Sequence, residues 1–243
     1  AGDERLRIAS DGKIGIGTNN PGNADSGAPD LVVEGGNHAG LSIISGGASP
    51  SGSRIYFGRG YSGSDNRKGQ INYLHSGNDT DAFTFHTGTT ERLRIDSNGK
   101  IGVGGAPSAW QAATTSKVLQ LGNASVFNYN DTYFHLGQNF YWDGSNYKYI
   151  ANGHSTRLIQ NAGEFSFLQA ASGSADANIT YTTPLKITSN GDVLIGSTTE
   201  YSDSKVYIKD TSTSNYIPVV IESAATNGSC IQYLQHYSGS VHS

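Results

Sequence analysis

Cysteine is nearly missing from this 243-residue chain and methionine is missing altogether. The single cysteine, Cys230, excludes an internal disulfide framework, and its small polar and aliphatic neighbours point to packing rather than reactivity. Charge is also sparse. Charged residues make up 15% of the chain, 16 basic and 20 acidic side chains are intermixed, and the net charge is −4. That balance carries no nucleic-acid footprint. No apolar run reaches the length of a membrane span. Long amphipathic helices are absent too; the best helical stretch, Ser108 to Ala113 capped by Ser108, predicts one or two turns at most. Leu, Ile, Val and Phe number 49, a fifth of the residues, which is at the edge of what a self-sufficient core needs.

What is present is Gly (32), Tyr (14), Phe (8) and many Ser, Asn and Thr, arranged in alternating segments that argue for strands and against disorder. One phrase recurs. ERLRIDSNGKIGVG, residues 91–104, repeats ERLRIASDGKIGIG at 4–17 and returns more loosely as PLKITSNGDVLIG at 184–196. Leu93 and Ile95 alternate with Arg92 and Arg94, then Ile101 and Val103 alternate with Lys100, Gly102 and Gly104. The spacing predicts a β-hairpin with a four-residue loop, Asp96-Ser97-Asn98-Gly99, aliphatic on one face. Asp and Ser bond their own backbone at such a turn, and Asn-Gly supplies positive φ. Strand glycines such as Gly102 and Gly104 suggest close approach of another backbone.

From Leu6 to Leu93 is 87 residues and from Leu93 to Leu185 is 92, so the period is near 90. Each copy is followed by a polar connector and a short aliphatic strand: Leu31 to Val33, Val118-Leu119, and Val206 to Ile208. Ile55-Tyr56-Phe57-Gly58 has a counterpart in Phe134-His135-Leu136-Gly137. We therefore expect an all-β chain of serial hairpin and sheet modules. Residues 1–30 would be the end of a preceding repeat and its connector, 31–117 a first module, 118–205 a second and aromatic-rich module, and 206–243 the start of a third. The lack of Met at position 1 and the break-off partway into a unit predict a piece of a longer polypeptide. A core this thin predicts burial against further copies of the same chain.

The hairpin phrase, the segment SRIYFGRGYSGSDNRKGQINYLHSGNDTDAFTFHT ahead of it, and Gly-Asp-Val-Leu-Ile-Gly later in the chain resemble the repeats of phage tail fibres, especially those of marine phages. Members of that family often carry such repeats ahead of a carboxy-terminal intramolecular chaperone of the endosialidase type. The resemblance covers most of residues 1–209. It implies an elongated, homotrimeric virion appendage that partners itself and other tail or fibre proteins and has host cell-surface polysaccharide as its candidate receptor. It implies no cofactor, no nucleic-acid partner and no membrane insertion. A tailspike-like depolymerase and a non-phage adhesin or lectin are the alternatives.

Two segments are candidate binding surfaces. Residues 127–149 hold nine aromatics in 23 positions. Tyr129, Tyr133, Tyr141, Trp142, Tyr147 and Tyr149 could stack on sugar rings, with Asn128, Asn130, Asp131 and Asn146 bonding hydroxyls. The competing reading, which we weight more heavily, packs these rings between sheets or protomers. The second segment is the Gly/Ser-rich loop bearing Arg59, Tyr61, Asp65 and Arg67. For glycoside cleavage only Asp131, Asp143 and Glu164 are placed to serve, and turn signals account for them. No nucleophile elbow, phosphate loop or zinc spacing occurs, so no catalytic residue and no metal site is expected. A lone His75, His86 or His135 could hold a metal only if a threefold axis presented it three times.

Overall fold

The computed structural model describes residues 5–18, 20–23, 30–35, 37–45, 51–75, 81–112, 116–130, 132–200 and 205–208. Among them the chain is all-β, with two short 3-10 turns at Pro21–Asn23 and Gly63–Arg67 and no α-helix. Strands β1 (Leu6–Ile8), β2 (Ile14–Ile16) and β3 (Leu31–Val33) form a three-stranded sheet. A sheet of thirteen strands follows. Its first half is β4 (Gly52–Phe57), β5 (Gly69–Leu74), β6 (Ala82–Thr87), β7 (Thr90–Asp96), β8 (Ile101–Val103) and β9 (Lys117–Leu121). It continues through β10 (Ala124–Tyr129) and β11 (Tyr133–Gln138). The ribbon β12 (Tyr141–Trp142) and β13 (Tyr147–Lys148) then leaves the sheet, which resumes with β14 (Gly153–Asn161), β15 (Glu164–Gly173), β16 (Thr182–Ile187), β17 (Val193–Ile195) and β18 (Val206–Ile208).

The recurring phrase folds the same way three times. Each hairpin (β1–β2, β7–β8, β16–β17) receives the aliphatic strand after its connector as a parallel third strand. The registers match: Ile8, Ile14 and Leu31 lie abreast, as do Ile95, Ile101 and Leu119, and Ile187, Val193 and Val206. The turn is tighter than the expected four-residue loop. β7 runs through Asp96, whose N–H donates to the Lys100 carbonyl at 3.0 Å, so only Ser97, Asn98 and Gly99 remain. The Asp96 carboxylate accepts from the N–H groups of Asn98 and Lys100, both at 2.9 Å. Gly99 alone takes positive φ, at 74°, and Asn98 does not; this is the three-residue loop that closes with a left-handed glycine. The parallel ladder of β8 with β9 pairs Ile101, Gly102 and Val103 with Leu119, Gln120 and Leu121.

Gly102 serves its own chain. A Cβ there would lie 2.2 Å from the Gly105 carbonyl oxygen and 2.9 Å from Pro107 Cδ, because the connector folds back over the strand. The backbone expected to come close at Gly102 is that of its own connector, and at Gly104 none does among the described residues. Gly104 has open space and is required by its φ of 88°.

The strand pairs assign every side chain to one of two faces. One face carries Ile55, Ile71, Phe85, Leu93, Val103 and Leu121 in one row, and Phe83, Ile95, Ile101, Leu119, Val126, Leu136, Leu158, Phe167, Leu185, Ile195 and Ile208 in the next. Most of it faces open space: twelve large apolar residues of this sheet face are substantially exposed, Leu136 at 47% among them. The opposite face carries a polar row, Asn72, Thr84, Arg94, Gly102, Gln120, Ser125, Gly137 and Arg157. Asn72, Thr84, Gln120, Ser125 and Arg157 in that row are buried. The usual one-sided pattern is thus reversed, with a covered polar face and an open apolar one. The first sheet repeats the open face, leaving Leu6 60% and Ile8 71% exposed. Near β4 to β6 the segment around Leu41 and Ile43 crosses this face and frames a depression of about 360 Å³.

The expected helical turn at Ser108 does not form through residue 112; position 113 lies outside the described residues. Gln120 explains this. Its Oε1 accepts from the Ser108 N–H at 2.9 Å and from Trp110 Nε1 at 2.8 Å, which holds the segment flat against the polar face.

Candidate binding surfaces

The aromatic segment builds the lid of the covered face. At the end of β11, Asn139 turns the chain with φ of 60°. Its Oδ1 accepts from the Ala151 N–H at 2.8 Å, and its Nδ2 donates to the carbonyls of Ala151 and His154 at 2.9 and 3.0 Å. One side chain therefore ties together both ends of the β12–β13 excursion. Asp143 makes the tip: its Oδ1 accepts from the N–H groups of Ser145 and Asn146 at 2.8 and 2.7 Å, and Gly144 follows at φ 107°. These two hydrogen bonds, with Lys148 nearby, hold the Asp143 carboxyl below its ordinary range.

Under the lid lies a core of Trp110, Val118, Phe127, Phe140 and Tyr141, with Tyr129, Trp142, Tyr147, Ile150 and Ile179 packed against it. Gly137 leaves the space that Phe140 fills; a Cβ there would sit 2.2 Å from the Thr156 carbonyl oxygen and 3.1 Å from the Phe140 ring. At the centre is Arg157, only 6% exposed, with no carboxylate beside it among the described residues. Its guanidinium lies 3.6 Å from the centroid of Tyr147, 4.4 Å from Tyr181 and 5.5 Å from Phe140. Ring faces stand in for a counter-ion, and a desolvated cation–π contact of this kind contributes about 2 kcal/mol. Burial still pushes the Arg157 pKa down. Its neighbour His135 stacks between Phe127 and Tyr133, is 1% exposed, and has no hydrogen bond at either ring nitrogen among the described residues. Burial first, and the Arg157 charge second, push its pKa from 6.5 to about 3.

This arrangement sorts the proposed sugar-stacking residues. Tyr141 and Tyr149 are buried, so neither can offer a ring face to a glycan; for these two the packing reading replaces the binding one. The Tyr141 hydroxyl donates to Asp176 Oδ1 at 2.7 Å, and burial together with that carboxylate raises its pKa to about 12. The Tyr149 hydroxyl donates to the Ala171 carbonyl at 2.6 Å, over Gly173, where any Cβ would strike the ring. Tyr129, Trp142 and Tyr147 are half-buried, and Tyr133 is the most open of the set. Tyr129 stands 6.5 Å from Tyr133 and 6.3 Å from Trp142, at steep interplanar angles, so the strip presents ring edges more than a flat platform.

The loop between β4 and β5 is ordered differently. The Asp65 carbonyl accepts from the N–H groups of Arg59 and Gly60 at 2.7 and 3.2 Å. The Asp65 carboxylate accepts twice from Arg59 Nη2, at 3.2 and 3.3 Å, and pairs with Lys68 at 2.8 Å. Its pKa is lowered chiefly by Lys68 and next by Arg59. Tyr61 stands out from this clamp fully exposed, at 105% of its reference area, and Arg67 is exposed and makes no ion pair among the described residues.

The carboxylates considered for glycoside cleavage do not converge. Asp143 caps its turn, Glu164 pairs with Lys186 at 3.0 Å, and Asp131 lies outside the described residues. Among the described residues no three His, Cys, Asp or Glu side chains group as metal ligands. His75 bonds Ser53 Oγ and His86 bonds Thr84 Oγ1, each at 3.1 Å, while His135 lies on the covered face, away from any axis that the open faces could share.

Sequence reasoning missed Arg157, Asn139, Gln120 and Tyr181 as organisers of this region. Arg157 sits in an alternating strand, HSTRLIQN, where an arginine reads as solvent-facing. The chain matches no protein-family model and no curated protein.

Proposed function

We propose that this chain is a structural segment of a phage fibre, in which three copies turn their open apolar faces to a common axis and carry outward surfaces for host recognition. The carrying observation is the reversed patterning of the thirteen-stranded sheet. Twelve large side chains, each roughly two-fifths exposed or more, leave on the order of 1,000 Å² of contiguous apolar surface. The largest patch on a typical monomer is about 300–600 Å². Open sheets beyond about ten strands also rarely persist without curling or packing on a second sheet.

The occupant of that face is a further copy of the same chain. Its aliphatic rows recur with each hairpin, so a neighbour of the same period meets them in register along the whole length. Between the hairpins the row of Leu121 continues through Ala124, Gln138, Thr156 and Gln169, so the aliphatic contact between copies is densest at the hairpins themselves. The number three follows from the resemblance to tail-fibre repeats. A two-copy sandwich is the competing geometry.

Light scattering on the purified chain at micromolar concentration tests the assembly. The expected mass is about three times 25.6 kDa. Leu136→Asp, on the open face and away from the aromatic lid, should shift it to one copy. A wild-type monomer ends the assembly reading, and a stable dimer ends the threefold one. Mass spectrometry of purified phage particles tests the location; absence of the chain from every particle class ends the fibre reading.

A further inference from the structure

On the fibre reading, we propose that the β4–β5 loop is a built contact for an acidic polysaccharide, with Tyr61 as the stacking ring, Arg67 as the free cation and Asp65 as the clamp that holds the loop in shape. The exposed apolar residues of the sheet are accounted for by assembly. Tyr61 is not, because it projects from a loop and its ring buries nothing. A fully exposed aromatic contributes nothing to folding, and here it stands on a loop stiffened by two main-chain bonds and three ionic contacts to a single residue. Ordering the loop beforehand lowers the entropy that a ligand must otherwise supply.

Charge selects the ligand class. Arg59, Arg67 and Lys68 outnumber Asp65 by three to one, whereas the whole chain is net −4. A ring flanked by guanidinium groups fits a sugar bearing a carboxylate or sulfate: the ring covers the apolar face of the pyranose and the cation meets the anion. One ring and a few cations span only a sugar or two. Each contact is therefore weak, and repetition over the copies of an assembly supplies avidity. The footprint is too short to track a nucleic-acid backbone.

The test uses the intact assembled chain against immobilised polygalacturonate (carboxylated), dextran sulfate (sulfated), neutral dextran and single-stranded DNA, in 50 and 500 mM salt. Binding to at least one acidic polysaccharide, weaker at high salt, is expected, and which of the two binds better identifies the anion. Tyr61→Ala and Arg67→Ala should each weaken it about tenfold while light scattering shows the same assembly. Asp65→Ala is the discriminating variant. It removes a negative charge, so a merely cationic surface would bind more tightly, whereas a clamped site binds several-fold more weakly. Equal or tighter binding by Asp65→Ala, no change in Tyr61→Ala, equal binding to neutral dextran, or preference for DNA each overturns the proposal. Because the mass is read in the same samples, loss of binding with the assembly intact refutes the loop and leaves the fibre reading standing.

Discussion

His135 should make this protein lose stability as the pH falls through the mildly acidic range. His135 is enclosed by Phe127, Tyr133, Phe140 and Tyr147, and among the described residues the only charge facing it is the Arg157 cation. Its pKa therefore falls to about 3 in the folded chain from 6.5 when free. Above pH 6.5 the imidazole is neutral in both states and costs nothing. Between pH 6.5 and 3 the unfolded chain binds a proton that the folded chain refuses, so stability falls as pH falls, by about 1.4 kcal/mol per unit. At pH 5 the loss is about 2 kcal/mol, or roughly thirtyfold in the folding equilibrium.

The assay is urea unfolding at pH 7 and pH 5, compared between the natural chain and His135→Phe. Phenylalanine keeps the stack on Phe127 and Tyr133 and removes two unbonded ring nitrogens, so its pH dependence should be flatter by about 2 kcal/mol between those values. The other histidines and the carboxylates titrate alike in both proteins and cancel in the difference. Identical pH slopes for the two proteins would refute the reasoning, because they would mean that His135 accepts its proton in place.

Two further perturbations probe the repeated hairpin. Gly102→Ala should lower stability by about 2–3 kcal/mol in thermal unfolding, since its Cβ meets backbone on the folded-back connector. Gly99→Ala has open space and only a φ of 74° against it, so it should cost about 1 kcal/mol; the reverse order would mean that the connector does not lie on the strand. Lys100→Met should raise the stability by on the order of 1 kcal/mol, and the Tm with it, because the Lys100 ammonium is buried without a hydrogen-bond partner among the described residues and burial pushes its pKa down; a lower Tm would show that the charge is satisfied in solution.

The strands and the repeated turn were legible because their determinants are local. Alternation over four to six residues fixes a strand, and an Asn-Gly or Asp-Gly after it fixes the reversal. The recurrence of Leu31 to Val33, Val118-Leu119 and Val206 to Ile208 was equally visible, but not that each pairs in parallel, since the connector and not the strand sets that direction. Alternation also says that a strand has two faces without saying which is covered. Here the polar side is covered, because an excursion of aromatic residues with its own turns folds onto it. Tyr141 and Tyr149 consequently read as candidates for sugar stacking until the folding of that excursion onto the sheet placed them inside. Nothing in the pattern HSTRLIQN distinguishes an arginine that faces water from one held between phenol rings.

The three copies of the hairpin show how the two faces are constrained. On the open face the residues stay aliphatic: Leu6, Leu93 and Leu185; Ile8, Ile95 and Ile187; Ile14, Ile101 and Val193; Ile16, Val103 and Ile195. On the covered face they change more, although Arg7, Arg94 and Lys186 keep a cation at one position. Gly15 and Gly102 correspond to Leu194, which is fully buried, and Lys13 and Lys100 correspond to Asp192, which pairs with Lys205 at 2.6 Å. Each covered position answers to its own connector, so it can vary as that connector varies: a crossing loop demands glycine in one copy, and a looser one admits leucine in another. An open position has no private partner to follow. If water were its only neighbour, polar residues would enter at little cost, as they do on the solvent side of ordinary antiparallel sheets. That all twelve of these positions exclude them agrees with the proposed shared interior, in which one charge would be buried once in every copy.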